Sequence, residues 1–419
     1  MTDIVADLQW RGLIKDSTDP DELAKHLANG PVTFYVGFDP TGPSLHIGHL
    51  VQILTARRLQ QAGHRPLVLV GGATGLIGDP KDAGERTLNS PEVVAGWVDR
   101  LQGQLAPFVT FSGELAARAV NNLDWTAEMS VVEFLRDVGK HFPVNQMLSR
   151  EIVRTRLAAG GISFTEFSYQ LLQSNDFYQL HRRYGCTMQF GGSDQWGNIT
   201  AGVDYCRRQG AAVQAFTTPL ITRADGTKFG KTADGQSVWL DPAMTSPYAF
   251  YQFWFNTADG DVDRYLRCFS FRSHDEIEQI LAAAAERPAA RAGQRALAEE
   301  LTTLVHGAHE TAQVVAASQA LFGRGQLDEL DESTVDAALR EAGLLEVTEL
   351  PNVATLFKQA GLCASLSEAR RAVAEGGAYV NNERVTEADA VPTPDRLLHN
   401  RFLVLRRGKR TVAGVQLTR

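Results

Sequence analysis

Near the N-terminus, two short apolar runs flank a segment with helical spacing of apolar residues, a pattern that predicts a βαβ unit. VTFYVGF (residues 32–38) is rich in β-branched and aromatic residues, and RPLVLVG (residues 65–71) is apolar throughout, as in a buried parallel strand. Between them, apolar residues recur at helical spacing from His46 to about Ala62, and Gly63 stands where a helix cap belongs. This unit predicts an α/β fold with a doubly wound parallel sheet.

The pattern becomes mainly helical in the second half of the chain. A helix is predicted to follow Ser246-Pro247, a serine cap before a proline in the first turn. Before it, a helix is predicted from a capping box at Ser163 and Glu166 to about Arg183, with strands at 188–192 and 215–222. After it, helices are predicted to about Gly323, with a capping box at Ser273 and Glu276 and a stop at Gly307, and an acidic connection follows over 324–351. The last section has a capping box at Ser365 and Glu368 and a hairpin turn at Asn381-Asn382.

Composition narrows the class of protein. The chain has 419 residues, 44% hydrophobic and 21% charged, which is ordinary for a globular protein of two or three domains. No apolar stretch approaches a membrane span and the N-terminus lacks a signal pattern, so we expect a cytoplasmic protein. The four cysteines are far apart and predict reduced thiols, without a metal site.

Charge is distributed unevenly along the chain. The net charge of −8 argues against nucleic-acid binding, yet no Asp or Glu follows Asp395. A local basic surface on an acidic protein suits a partner that is bound and released, and a solvated basic tail is the alternative. The basic residues of this tail are Arg396, Arg401, Arg406, Arg407, Lys409, Arg410 and Arg419.

Two motifs suggest phosphate chemistry. DPTGPSLHIGH (residues 39–49) places His46 and His49 on one face at a helix N-terminus, which is a prepared phosphate site, and Gly48 leaves room for a nucleotide ring. KFGKT (residues 228–232) offers lysines that can neutralise charge on a leaving group. Capping histidines and an exposed basic loop are the alternatives for each motif taken alone.

Together the two motifs resemble the signatures of class I aminoacyl-tRNA synthetases. GATGLIGDP (72–80), GISFTEFSYQLLQSNDF (161–177) and QFGGSDQWGNI (189–199) are similar to the tyrosine-specific members of that family. The resemblance implies a Rossmann-like catalytic domain over 1–235, an α-helical anticodon-binding domain over 236–330, a linker over 331–351, and a small α+β RNA-binding domain of the ribosomal protein S-four type over 352–419.

The amino-acid site has support from helical spacing as well as from the resemblance. Tyr169, Gln173 and Asp176 share one helix face, and such a polar stripe is costly to bury unless it meets a ligand. The resemblance implies that Tyr169 and Gln173, with Asp79, hold the α-ammonium group of tyrosine. It also implies that Tyr35 and Asp176 meet the phenolic hydroxyl from opposite sides, although Tyr35 is equally typical of a strand's core.

The same resemblance implies a two-step ligation with tyrosine, ATP and tRNA(Tyr) as substrates. Magnesium would accompany ATP, without a dedicated protein metal site or a tightly bound cofactor, and the protein would be a homodimer without a membrane partner. Gln195 would lie near the tyrosine carboxylate. The implied catalytic residues are Thr41, His46, His49, Lys228, Lys231 and Arg86, and the implied ATP-binding residues are Gly37, Asp39, His46, Gly48, His49, Gly192, Asp194 and Lys231.

The sequence departs from the family pattern at a few positions, and other functions compete with ligation. Val36 stands where a cysteine often contacts the ribose, Gln52 where threonine or proline is frequent, and the alignment around Lys81 is uncertain. The alternatives are a tryptophan-specific synthetase, another nucleotidyl-transferring enzyme and a synthetase-derived RNA-binding protein. A dehydrogenase is disfavoured because Asp79-Pro80 interrupts the helix that its glycine turn, residues 72–78, would need.

Overall fold

The computed structural model describes residues 3–40, 42–80, 90–227, 229–231, 235–323, 325–409 and 411–418. The chain divides into two compact units. The first is formed by Met1–Asp241 with Gly260–Ile277, and the second by Pro242–Asp259 with Glu278–Arg419.

The first unit is built on a six-stranded sheet in which the order of strands reverses near the middle. Its strands are β1 (Asp16–Ser17), β2 (Thr33–Phe38), β3 (Arg65–Val70), β4 (Arg118–Asn121), β5 (Met188–Gly192) and β6 (Gln214–Thr218). The order is β1-β6-β5-β2-β3-β4, and all neighbours are parallel except the β1–β6 pair. The predicted doubly wound sheet is therefore confirmed. Its switch point lies between β2 and β5, where ligands of such sheets bind.

Helices cover this sheet, and two of them were predicted in detail. The helix expected from His46 begins as a 3-10 turn, Ile47–His49, and continues as Leu50–Gln61. The helix expected from Ser163 spans Phe164–Tyr184 and is capped by the Ser163 side chain. Other α-helices of this unit are Ile4–Trp10, Pro20–Ala28, Thr74–Ile77, Pro91–Leu105, Leu123–Thr126, Val131–Glu133, Val144–Leu148, Glu151–Ala158, Trp196–Arg208 and Asp259–Phe269.

Two details of the first unit differ from the sequence prediction. Glu166 was expected to complete a capping box with Ser163, but its carboxylate pairs with Arg156 at 2.7 Å, because both side chains are buried and a buried charge needs a partner. The strand expected over 215–222 ends at Thr218, since Pro219 follows and has no N–H for the sheet.

The second unit joins a group of helices to a five-stranded sheet. Its strands are β7 (Leu344–Val347), β8 (Ala378–Val380), β9 (Glu383–Arg384), β10 (Phe402–Arg407) and β11 (Thr411–Leu417), in the order β7-β11-β10-β8-β9. The hairpin predicted at Asn381-Asn382 joins β8 to β9, and both residues have positive φ angles of 47° and 65°. Its helices are Pro247–Phe255, His274–Glu286 (which begins in the first unit), Ala292–His306, Ala308–Ala320, Glu332–Ala342, Val353–Gln359 and Leu366–Ala374.

The segment predicted as an acidic connection, 324–351, contains regular structure. It forms the helix Glu332–Ala342 and strand β7, which pairs in parallel with β11. The helix packs closely on β11, because a Cβ atom at Gly414 would lie 2.6 Å from the Cβ of Leu339. The helix buries an apolar face formed by Val335, Ala338 and Leu339. This face was not recognised in the sequence because acidic surface residues lie between its apolar positions.

The basic tail does not present all its charge to solvent. Among its described residues, three arginines form ion pairs with acidic residues from earlier in the chain, and Arg406 is buried with its guanidinium 4.0 Å from the ring centroid of Tyr379. Arg410 and Arg419 lie outside the described residues. The ion pairs are Arg396 with Glu383 at 2.6 Å, Arg401 with Glu332 at 2.5 Å, and Arg407 with Glu368 at 2.8 Å. Within the described residues, no helix has both the length and the apolar character that a membrane span requires.

Candidate active site

A cavity of about 270 Å³ lies at the carboxyl ends of β2 and β5, beside the switch point of the sheet. It brings together predicted residues from five separate parts of the chain. Those that line it are Tyr35, Gly37, Asp39, Gly48, His49, Asp79, Tyr169, Gln173, Asp176, Gly192, Asp194 and Gln195. His46 lines an adjoining cavity of about 200 Å³ that shares Asp39 and His49 with the first.

One end of the larger cavity is marked by a buried carboxylate, Asp176. Its Oδ1 accepts a hydrogen bond from Trp125 Nε1 at 2.8 Å, and its Oδ2 accepts one from Asn122 Nδ2 at 2.9 Å. Burial raises the pKa of Asp176 to about 7, and these two hydrogen bonds act in the opposite direction. The sequence did not indicate Asn122 or Trp125, which belong to no motif and follow β4.

Tyr35 lies at the same end of the cavity, in the middle of β2. Its side chain is only 1% exposed, and its hydroxyl has no hydrogen-bond partner among the described residues. Burial and the charge of Asp176 both raise the pKa of Tyr35 well above its ordinary value, so the hydroxyl keeps its proton. A buried hydroxyl without a partner is costly, and a ligand that supplies one would remove that cost.

A chain of hydrogen bonds connects this end of the cavity to Asp39. Tyr169 donates to Asp39 Oδ2 at 2.6 Å, and Thr74 Oγ1 donates to Asp39 Oδ1 at 2.7 Å. Thr74 accepts in turn from Asn122 Nδ2 at 2.9 Å, and Asn122 also donates to Asp176. The two carboxylates are thus held in one network, in which Thr74 was another residue that sequence reasoning missed.

The two histidines of the first motif are held as neutral hydrogen-bond donors. Nδ1 of His46 accepts the Gly48 N–H, and Nδ1 of His49 accepts the His46 N–H, each at 3.1 Å. Burial lowers the pKa of both, with Lys231 adding to the effect on His46, and that of His49 falls to about 3. With Nδ1 occupied as an acceptor, each neutral ring carries its proton on Nε2, where it can be donated to an oxyanion.

A short segment, residues 237–239, connects the two motifs. The Ile47 N–H donates to the Val238 carbonyl at 3.0 Å, and the Val238 N–H donates to the Gly230 carbonyl at 3.1 Å. Lys231 Nζ donates to the Ser237 hydroxyl at 2.9 Å, and Ser237 lines the smaller cavity with His46. The second motif is therefore fixed beside the first by main-chain hydrogen bonds, which the sequence pattern did not predict.

The second motif is also anchored by its aromatic residue. The Phe229 ring centroid lies 5.1 Å from that of Tyr265 and 5.6 Å from that of Phe269, on the helix Asp259–Phe269. Three further predicted catalytic residues, Thr41, Arg86 and Lys228, lie outside the described residues, as does Lys81.

Comparison with known families identifies the class of protein. The family model described as tRNA synthetases class I (W and Y) matches residues 27–323, and that of the tyrosine--tRNA ligase SYY-like C-terminal domain matches residues 339–413. The chain therefore belongs to the class I tRNA synthetase family that comprises the tryptophan and tyrosine enzymes.

Individual relatives narrow the membership further. The chain is 65% identical over 421 residues to the tyrosine--tRNA ligase of Streptomyces coelicolor, and 58% identical over 417 residues to that of Mycobacterium tuberculosis. These alignments cover 100% of both chains in the first case, and 99% of this chain and 98% of the relative in the second. The C-terminally truncated mitochondrial tyrosyl-tRNA synthetase of Aspergillus nidulans superposes with a TM-score of 0.70 at 32% identity, covering 77% of this chain and 95% of that chain.

Within the family, the chain thus belongs to the tyrosine–tRNA ligases, which use ATP as a substrate. The function predicted from sequence is confirmed by this similarity over the full length, and the tryptophan-specific alternative is not favoured.

Proposed function

We propose that the larger cavity binds L-tyrosine with its phenolic hydroxyl between Tyr35 and Asp176. The phenol would donate its proton to the Asp176 carboxylate and accept one from the Tyr35 hydroxyl. The lack of a partner for that hydroxyl among the described residues is the observation that supports this assignment most directly. Phenylalanine would leave the Tyr35 hydroxyl without a partner and would give the buried Asp176 carboxylate no further donor. Sites of this kind reject the analogue strongly, and tyrosine-specific synthetases are themselves the standard example of the effect.

The α-ammonium group of tyrosine would be held by Asp79, Tyr169 and Gln173. The Tyr169 hydroxyl donates its own proton to Asp39, so its lone pairs remain available to accept from an ammonium group. Asp79 is oriented by Gln195, whose Nε2 donates to Asp79 Oδ2 at 2.8 Å. Gln195 lines the cavity beside Asp79, where the carboxylate of the same substrate would lie.

The tyrosine carboxylate would then attack the α-phosphate of ATP, forming tyrosyl-adenylate as the bond to pyrophosphate breaks. The nucleophile is already ionised, so this step needs no general base, and positioning and charge stabilisation supply the rate. His46 and His49 would donate from Nε2 to phosphate oxygens, and Lys231 would balance the charge of pyrophosphate. Thr41, Lys228 and Arg86 are proposed, from the resemblance alone, to assist them.

The nucleoside of ATP would lie on the glycine-rich edges of β2 and β5. A Cβ atom at Gly192 would lie 2.5 Å from Asp194 Oδ1, so a side chain there would have to displace the Asp194 carboxylate. Asp194 lines the same cavity and would accept from the ribose hydroxyls. The same part of the cavity is also lined by Gly37, Gly48 and Asp39. Magnesium would enter with ATP as part of the substrate complex. A hydroxyl of the terminal ribose of tRNA(Tyr) would finally displace AMP and take the tyrosyl group.

Specificity for the phenol is testable by ATP–pyrophosphate exchange without tRNA. The kcat/KM of exchange is expected to be far higher with tyrosine than with phenylalanine or tryptophan. In Tyr35→Phe, one neutral hydrogen bond is lost, so kcat/KM for tyrosine relative to phenylalanine should fall about threefold to tenfold. Phe34→Leu, a change in the same strand, is the matched control. Unchanged discrimination in Tyr35→Phe would remove Tyr35 from the phenol site.

The proposal also assigns a function to each segment of the chain. We assign residues 1–235 to catalysis, 236–330 to anticodon binding and 352–419 to RNA binding, joined through 331–351. A cytoplasmic location is proposed because tRNA and ATP are available there.

A homodimer is proposed from the apolar surface of the first unit. Large hydrophobic side chains are exposed between residues 131 and 164, with Val131 and Phe164 each 75% exposed, and such a surface usually marks an interface. The others are Val132, Leu135, Val144, Leu148 and Leu157.

Disruption of that surface should change the oligomeric state. Phe164→Asp would bury a charge in the interface, so sedimentation velocity should show monomers where the unaltered protein is dimeric. Val391→Asp, at a residue 55% exposed in the second unit, is the control. A dimer that persists in Phe164→Asp at all concentrations would place the interface elsewhere.

A further inference from the structure

Asn198 lies directly behind the Asp79–Gln195 pair. Its Nδ2 donates to Asp79 Oδ1 at 3.0 Å and to Gln195 Oε1 at 3.1 Å, while Gln195 donates to the other oxygen of Asp79. The three side chains form a closed triangle that uses both protons of the Asn198 amide. Asp79 and Gln195 therefore cannot rotate without breaking a bond to Asn198.

Arg150 determines which way the Asn198 amide points. Its Nη1 donates to Asn198 Oδ1 at 3.4 Å. Because a guanidinium has only donors, an inverted amide would place an NH₂ group against the cation and an oxygen against the carboxylate of Asp79. Gly197 leaves the space that Arg150 occupies, since a Cβ atom there would lie 3.1 Å from Nη1.

Arg150 also adds positive charge behind Asp79. Burial lowers the pKa of Arg150 to about 10, while the charges of Asp204 and Asp79 act in the opposite direction, so the guanidinium stays protonated at neutral pH. A nearby cation favours the ionised form of a carboxyl group. Asp79 therefore lies in the field of the Arg150 charge as well as within hydrogen-bond reach of Asn198.

We propose that Asn198 is a positioning residue for amino-acid recognition, with Arg150 as the residue that orients it. Asn198 acts through Asp79 and Gln195, which line the cavity, and it keeps the Asp79 carboxylate turned toward the substrate's α-ammonium group. This inference rests on the proposed function of the same cavity. The phosphate-binding side, formed by His46 and His49, is outside the triangle, so the effect should fall on the amino acid.

The test is ATP–pyrophosphate exchange with Asn198→Ala in the full-length protein. Loss of a hydrogen bond to a charged group should raise KM for tyrosine about tenfold to a hundredfold, while kcat and KM for ATP change less than about twofold. Thr200→Ala on the same helix is the control and should match the unaltered protein. Arg150→Ala should move KM for tyrosine in the same direction, and Arg150→Lys, which keeps a charged donor, should restore most of the affinity.

Two competitive inhibitors separate positioning from general damage to the fold. Tyramine keeps the ammonium group of tyrosine, and 4-ethylphenol lacks it. Asn198→Ala should therefore weaken the binding of tyramine as much as that of tyrosine and leave the inhibition constant of 4-ethylphenol unchanged. Equal weakening of both inhibitors, or an unchanged KM for tyrosine in Asn198→Ala, would overturn the inference. Absence of tyrosine-dependent exchange in the unaltered protein would instead overturn the proposed function itself.

Discussion

His46→Ala is expected to slow tyrosine-dependent ATP–pyrophosphate exchange about a hundredfold to a thousandfold and to leave tyrosine binding unchanged. The neutral ring is fixed with its proton on Nε2. Removing a fixed hydrogen-bond donor that stabilises developing negative charge typically lowers the rate by this factor. Stopped-flow measurement of adenylate formation gives the rate constant, and equilibrium dialysis gives tyrosine affinity. An equal loss in both quantities would contradict a role in the transition state.

His46→Asn separates catalysis from the second task of this side chain. His46 also accepts the Gly48 N–H at the start of the helix, and loss of a cap costs about 1 kcal/mol of stability. Asparagine is a good cap but cannot place a donor where Nε2 lies. Both variants should therefore be slow in exchange, and only the alanine variant should lose thermal stability.

Asp176→Asn is expected to reduce kcat/KM for tyrosine about a thousandfold. Trp125 and Asn122 both donate to the carboxylate, and an amide can accept only one of these bonds, so its NH₂ group would face a donor. Asn122 cannot invert to compensate, because its Oδ1 accepts the Ala73 N–H at 2.7 Å. Asp99→Asn on an exposed helix face is the control, and KM for ATP should not change in either variant.

The same carboxylate should make tyrosine recognition depend on pH. Since burial raises the pKa of Asp176 to about 7, the group gains a proton as the pH falls through that value and no longer offers the phenol a charged acceptor. Burial lowers the pKa values of His46 and His49, and that of His49 falls to about 3, so His49 stays neutral over this range. We expect kcat/KM for tyrosine to fall below about pH 7 and to level off above it, whereas kcat/KM for ATP at saturating tyrosine should be flat. A flat profile for tyrosine would mean that Asp176 is ionised throughout.

Local patterns were sufficient to predict the elements that form the site. The βαβ unit, the helix that begins after Ser163 and strand β5 all depend on nearby residues, so spacing alone indicated them. These elements determine where Tyr169, Gln173 and Asp176 lie. The predicted cavity residues therefore meet in the structure, although they come from distant parts of the chain.

The residues that hydrogen-bond to the cavity-lining side chains without belonging to a motif could not be predicted in the same way. Asn122, Trp125 and Asn198 act through partners that only the folded sheet brings close, and an isolated asparagine or tryptophan has no spacing that reveals a partner. The helix Glu332–Ala342 and strand β7, within the acidic connection predicted over 324–351, were missed for a related reason. Strand β7 spans only Leu344–Val347, and its assignment depends on β11, some seventy residues later.

The pairing of β7 with β11 limits where the protein can be shortened. A chain cut before Asn352 would keep β7 but lose its neighbour, and the N–H and C=O groups of an open strand edge invite aggregation. The same cut would expose Val335, Ala338 and Leu339 to water. Loss of tRNA charging in such a truncated protein would then report precipitation as well as any loss of RNA contacts. Substitutions of individual surface arginines are therefore the cleaner test of the RNA binding proposed for 352–419.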